Sequence, residues 1–149
     1  MRANRTPNPH TNPHAFKSSY YVEREGYDAD IKVDWDTQRN PIKPSSMKKT
    51  RAWLDSRGIR VLEATVFKTA KGWHLRAWTE ARLGAYTTLR VQSMLDDDPV
   101  RQLFNARRVR RKEHGWNVLW NAKFRNGRNI YREERDKRWT RVASSILVS

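Results

Sequence analysis

Residues 27–36 alternate strictly between apolar and charged side chains. This period of two is typical of a β-strand, because successive side chains of a strand point to opposite faces. Such a strand requires a sheet that has a core on one side and a polar face on the other. The apolar face comprises Tyr27, Ala29, Ile31, Val33 and Trp35, and the charged face comprises Asp28, Asp30, Lys32, Asp34 and Asp36.

The segments that follow predict a mixture of helices and strands. In order, they are a helix capped by Ser45 or Ser46 that stops at Gly58, a hairpin of strands 59–68 and 73–78 with a turn at 70–72, a helix after Gly84, a short helix that opens at Asp98 and Pro99, a fourth strand at 116–124, and a closing helix after Glu133. This order predicts an α+β fold. Its specific form would be a ferredoxin-like or RNA-recognition-motif-like split βαβ antiparallel sheet, with helices on one face and a basic C-terminal extension.

The length of 149 residues suits one domain. Residues 1–19 are rich in proline and polar side chains, so they predict a disordered basic tail. Residues 20–149 are then expected to form a single α+β domain.

Composition limits the partners of this chain. A net charge of +15 together with seven tryptophans predicts a polyanionic partner, and DNA or RNA is the common one. The absence of cysteine excludes a disulfide framework, a Cys-ligated metal and a thiol nucleophile. No apolar run of about eighteen residues is present, so we expect no membrane partner and a cytoplasmic protein associated with the nucleoid or another nucleoprotein.

Three chemically useful side chains are expected to converge at one edge of the sheet. In a split βαβ sheet the first and third strands are central neighbours and antiparallel, which brings Asp34 and Asp36 close to His74. Two carboxylates spaced i,i+2 suit Mg²⁺ or Mn²⁺ when phosphates complete the shell. Lys71 and Arg76 would add positive charge for the tail of a nucleoside triphosphate.

At these positions the chain resembles the archaeo-eukaryotic primase superfamily. IKVDWD, residues 31–36, is similar to its first motif, an apolar strand ending in Asp-x-Asp, and KTAKGWHLRAW, residues 68–78, is similar to its second motif, Gly-x-His. The resemblance implies that Asp34 and Asp36 bind catalytic metal and that His74 contacts the phosphates of the incoming nucleotide. It also implies template-directed nucleotidyl transfer on a sheet like that of an RNA-recognition motif.

The third motif of that family, a further apolar-Asp pair, has no counterpart in the strand expected at 116–124. The acidic run 96–98 is interpreted as a helix cap and a solvated loop, so the third carboxylate ligand stays open. Simpler interpretations also stay open: Asp34 and Asp36 would also suit a solvated strand face, and His74 a structural role.

The C-terminal third predicts a nucleic-acid surface, because arginine binds phosphate and the aromatic residues interleaved here stack on unpaired bases. The alternative function is therefore a non-catalytic domain that binds single-stranded or structured nucleic acid in a replication or ribonucleoprotein assembly. A basic surface for solubility or for an acidic protein partner is a further alternative. The candidate contacts are Arg107, Arg108, Arg110, Arg111, Lys112, Lys123, Arg125 and Arg128.

Overall fold

Two antiparallel sheets and four helices appear in the computed structural model, which describes residues 19–23, 28–36 and 43–149. In chain order the elements are β1 (Ser19–Val22), β2 (Ile31–Trp35), α1 (Pro44–Ser56), β3 (Val61–Lys68), β4 (Trp73–Thr79), α2 (Ala85–Met94), α3 (Pro99–Arg110), β5 (Ala122–Arg125), β6 (Arg128–Arg132), β7 (Glu134–Arg135) and α4 (Lys137–Leu147). The main sheet has the order β2–β4–β3–β7, and the second sheet has the order β1–β5–β6.

The alternation in β2 divides the main sheet into an apolar face and a polar face. Val33 and Leu75 are opposite each other on β2 and β4, and both are fully buried. Helices cover this apolar face, because α1, α2 and α4 contribute buried residues to the same core. The helical members are Met47, Leu54, Val91, Ala143 and Leu147.

The α+β class, the antiparallel hairpin of β3 with β4 and the antiparallel neighbours β2 and β4 are confirmed. So is the helix start at Asp98, whose side chain accepts a hydrogen bond from the backbone N–H of Arg101. One detail of the order is wrong, because β2 is an edge strand of the main sheet and not a central one.

The prediction of a fourth strand at 116–124 is confirmed only at its end, because residues 116–121 form no strand. Only Ala122–Arg125 forms a strand there, and it belongs to the second sheet. The backbone before it has another use, since the carbonyl of Asn117 accepts a hydrogen bond from the Lys32 ammonium and that of Leu119 accepts one from Arg76. Buried cations need such acceptors, so these carbonyls solvate charge instead of pairing with a strand.

The two ends of the chain differ in how much of them the structure describes. The closing helix expected after Glu133 is confirmed as α4, which packs on β3 and buries Ala143 and Leu147 in the core, while a separate basic C-terminal extension is not confirmed. The predicted tail lies outside the described residues from position 1 to 18, while Ser19 begins β1. Tyr27, expected in the first strand, also lies outside them. Among the helices of the described ranges, none has the length and apolar character needed to cross a bilayer.

The core assignment predicts that Leu75→Ala lowers the free energy of unfolding by about 2–5 kcal/mol, because it opens a cavity in a packed core. Leu62→Ala on β3 is the matched control, since Leu62 is 53% exposed, and should change it by no more than about 0.5 kcal/mol. Urea unfolding followed by circular dichroism measures both. Equal losses would contradict the placement of Leu75 in the core.

Candidate functional site

Asp34 and His74 lie directly opposite each other on the paired strands β2 and β4. The distance between Asp34 Oδ1 and His74 Nε2 is 3.5 Å. Both side chains belong to the polar face, because they alternate with core residues such as Val33 and Leu75. The antiparallel pairing of the first and third strands that the sequence predicted therefore does bring the acid and the imidazole together.

The other imidazole nitrogen contacts a carboxylate that is almost completely buried. His74 Nδ1 lies 2.6 Å from Glu133 Oε2, and the Glu133 side chain is 1% exposed. Burial alone would lower the pKa of His74, but the hydrogen bonds to Asp34 and Glu133 and their negative charges outweigh it, so the pKa is raised above 6.5. The imidazole is therefore favoured as a cation that donates from both nitrogens.

A buried ionic network holds Glu133 in place. Arg76 Nε donates to Glu133 Oε1 at 2.9 Å, and its Nη2 donates to the carbonyl of Leu119 at 2.6 Å. On the next strand, Lys32 Nζ donates to Glu23 Oε1 at 2.8 Å, and Glu23 also pairs with Arg76 at 3.3 Å. Arg76 is fully buried, so its guanidinium is occupied by these partners and is not open to a nucleotide tail as the sequence interpretation expects.

The backbone of Asp34 is fixed by the acidic run that follows α2. The Asp34 N–H donates to Asp97 Oδ1 at 2.7 Å, and the Asp34 carbonyl accepts from the N–H of Asp98 at 3.0 Å. Burial raises the pKa of Asp97, while the charge of Arg101, whose Nη1 lies 2.6 Å away, opposes that rise. The run was expected to be a helix cap and a solvated loop, but only the cap at Asp98 is confirmed, because Asp97 is buried.

Asp34 and His74 open into a cavity of about 430 Å³, here called the Asp34–His74 cavity. Its polar side also includes Asp36, Lys71 and Lys123. The apolar and aromatic part of its wall comprises Leu119, Trp120, Ile130 and Tyr131. The cavity thus combines acids, cations and flat aromatic side chains.

Tyr131 forms part of that wall, and its phenol hydroxyl is neutral. Burial raises its pKa to about 12, with Glu133 and Asp34 adding to the rise, although hydrogen bonds to Thr69 and Ala70 oppose it. The phenol therefore keeps its proton at physiological pH and remains a hydrogen-bond donor.

The structure separates the predicted basic residues into three places. Lys123 lines the Asp34–His74 cavity, and Arg125 and Arg128 are paired opposite each other and exposed at the end of the β5–β6 hairpin. The others are exposed at the end of α3 and just beyond it, namely Arg107, Arg108, Arg110, Arg111 and Lys112.

Sequence reasoning missed Glu133, Asp97, Trp120 and Tyr131 as members of this region. Glu133 stands between two strands in a charged stretch, and no spacing relates it to His74, 59 residues earlier. Trp120 and Tyr131 are in the sequence only two of the aromatic residues that alternate with basic ones in the C-terminal third. No local pattern in the sequence could have placed these side chains beside β4.

The described residues contain no group of three or more His, Asp or Glu side chains arranged to hold a metal ion. Asp34 and Asp36 line one cavity, but His74 is engaged by Glu133 and Asp34. Protein ligands for a cation in this cavity would therefore come from the aspartate pair alone.

Comparison with known proteins gives no match to a family model, to a curated protein or to a solved structure. The resemblance to the primase superfamily therefore remains a prediction that rests on the two short motifs at 31–36 and 68–78.

The raised pKa of His74 predicts how stability depends on pH. Because the folded state binds this proton more tightly than the unfolded state, the stabilising contribution is complete below about pH 6.5 and is lost as pH rises through the higher folded-state pKa. Urea unfolding at a series of pH values above about 6 should show the free energy of unfolding decline as pH rises. Glu133→Gln should make this decline smaller. Stability that increases over this window would contradict the assignment.

Proposed function

We propose that the Asp34–His74 cavity binds a nucleoside triphosphate and that the protein transfers the nucleotide to the end of a nucleic acid, as primase-polymerases do. The observation that carries this proposal is the pairing of Asp34 with His74 on neighbouring strands, both open to one cavity. A triphosphate requires cationic groups around its oxygens and acidic groups for its divalent ion. Lys71 and Lys123 supply further positive charge in the same cavity.

The donor set suits a hard divalent cation that has few protein ligands. Asp34 and Asp36 both line the cavity, and Mg²⁺ is commonly held by one or two carboxylates, with phosphates and water in the remaining positions. Mg²⁺ or Mn²⁺ bound there would neutralise phosphate charge and favour attack by the terminal hydroxyl of the strand on the α-phosphorus, with pyrophosphate as the leaving group. Glu133 does not qualify as the third carboxylate ligand, because His74 and Arg76 occupy it.

The side chains of this chain have separable roles in the proposal. His74 would offer its Nε2–H, which lies 3.5 Å from Asp34 Oδ1, to a phosphate oxygen when Asp34 binds the divalent ion, while Glu133 fixes the ring through Nδ1. The flat wall formed by Trp120 and Tyr131 provides a stacking surface for the base. The triphosphate would therefore lie toward β2 and β4, and the base toward the second sheet.

A ferredoxin-like or RNA-recognition-motif-like origin of the main sheet is part of the same proposal. It is supported by β2 and β3, which flank β4 and are joined through α1, as in a split βαβ unit. The short strand β7 beside β3 is a feature that this origin does not require.

The proposal predicts incorporation of labelled nucleotides into a primed template in the presence of Mn²⁺ or Mg²⁺. Asp34→Asn and Asp36→Asn should each reduce incorporation about a hundredfold or more, because each removes a carboxylate from the divalent-ion site. Asp55→Asn, at an exposed position on α1, is the control and should keep full activity. Full activity in Asp34→Asn, or neither incorporation nor nucleotide binding by the unmutated protein, would refute the proposal.

A second candidate function is non-catalytic binding of nucleic acid. It is favoured by the cations at the end of α3, because no ion pair links their side chains to another residue in the described parts of the chain. These exposed residues are Arg107, Arg108, Arg110, Arg111 and Lys112. Uncompensated charge of this density attracts phosphates.

Binding of a single-stranded oligonucleotide should therefore weaken steeply as the salt concentration rises. Each phosphate contact should contribute about 0.7 to the magnitude of the slope of log K against log salt. Arg107→Ala/Arg108→Ala should reduce that slope by about 1.4. Lys137→Ala/Arg141→Ala removes the same charge from exposed positions on α4 and is the control. An equal effect in both double variants would indicate attraction by net charge alone.

A further inference from the structure

A second cavity, of about 390 Å³, lies between the start of α2 and the end of α3. Tyr86 and Trp116 line it, together with Arg110, Lys112 and Glu113. We call it the Tyr86–Trp116 pocket. None of these residues lines the Asp34–His74 cavity, so it is a separate site.

An exposed aromatic side chain marks this pocket. Tyr86 is 71% exposed in the first turn of α2. A polar side chain at this exposed position would not reduce the stability of the fold. Other large apolar side chains of α2, such as Val91, are buried in the core. The packing of the described residues therefore does not explain why an aromatic side chain stands at position 86.

The charges of the pocket lack partners as well. Arg110, Lys112, Glu113 and His114 line it, and none forms a side-chain hydrogen bond or ion pair with another residue that the structure describes. The dipole of α3 accounts for a cation in its last turn, such as Arg110, but Lys112 follows the helix and has a positive φ of 57°. This turn holds a second cation beside the two aromatic side chains.

We propose that the Tyr86–Trp116 pocket binds one unpaired nucleotide of a nucleic-acid strand. The base contacts the rings of Tyr86 and Trp116, and Arg110 and Lys112 bind the flanking phosphates. Glu113 accepts a hydrogen bond from an exocyclic amino group, which favours bases that carry one. The inference rests on the nucleic-acid binding proposed above and assigns the place where a base is contacted.

Nucleic acid explains this pocket better than an acidic peptide does. A peptide carboxylate would use Arg110 and Lys112 but would leave the ring of Tyr86 without a partner. A nucleotide combines a flat apolar base with a charged phosphate, which matches the two kinds of side chain in the pocket. Duplex DNA would hide its bases from these rings, so an unpaired strand is the expected ligand.

The test measures binding of a fluorescein-labelled single-stranded oligonucleotide by anisotropy at fixed salt. Tyr86→Ala should weaken binding at least about fivefold, because it removes a stacking ring, whereas Tyr86→Phe should stay within about twofold of the unmutated protein. Arg110→Ala/Lys112→Ala should reduce the salt slope by about 1.4. The high exposure of Tyr86 makes both of its variants safe for folding.

Three outcomes would overturn the inference. The first is oligonucleotide binding that is unchanged in Tyr86→Ala, and the second is binding of a duplex as tight as that of the single strand. The third is competition by polyglutamate as effective as competition by unlabelled oligonucleotide. Each would exclude base contact in the pocket. The catalytic proposal fails separately, because it depends on incorporation that is sensitive to Asp34→Asn. Tyr86-dependent binding of the oligonucleotide by a protein that neither incorporates nor binds a nucleoside triphosphate would leave the pocket assigned and the catalytic proposal refuted.

Discussion

The carboxylate of Glu133 joins the polar face of the main sheet to the segment that covers it. One oxygen accepts from Arg76 and the other lies 2.6 Å from His74. Removing charges from water costs several kcal/mol for each ion unless partners replace the lost hydration. Because Arg76 and Lys32 are fully buried, the layer over β2 and β4 has to supply carboxylates and carbonyls at fixed points.

That requirement positions the candidate site. The segment that provides the carbonyls of Asn117 and Leu119 also brings Trp120 to the edge of the Asp34–His74 cavity. On the other side, Asp97 fixes the backbone of Asp34 through a hydrogen bond of 2.7 Å. Asp34 is therefore held by Asp97 and His74 by Glu133. The contacts that hold them also position the residues that line the Asp34–His74 cavity.

Local sequence patterns predicted correctly those structural features that depend on residues close together in the chain. The alternation in 27–36 identified β2, the turn before Trp73 identified the hairpin, and Asp98 identified a helix start. The same reasoning failed for 116–121, where the apolar pattern resembles a strand but the backbone binds Lys32 and Arg76. It also took Arg76 for an exposed phosphate ligand, since a strand position does not reveal what will cover it.

The sequence by itself determined the α+β class, the antiparallel neighbours β2 and β4, and the meeting of Asp34 with His74, because these depend on periodicity and on the order of the elements along the chain. Only the tertiary structure decided that Glu133 holds the imidazole, that Arg76 is buried, and that Tyr86 and Trp116 share a pocket. Those relations join residues far apart in the chain, such as His74 and Glu133 at a separation of 59. They follow from the need to pair buried charge, which no local pattern encodes.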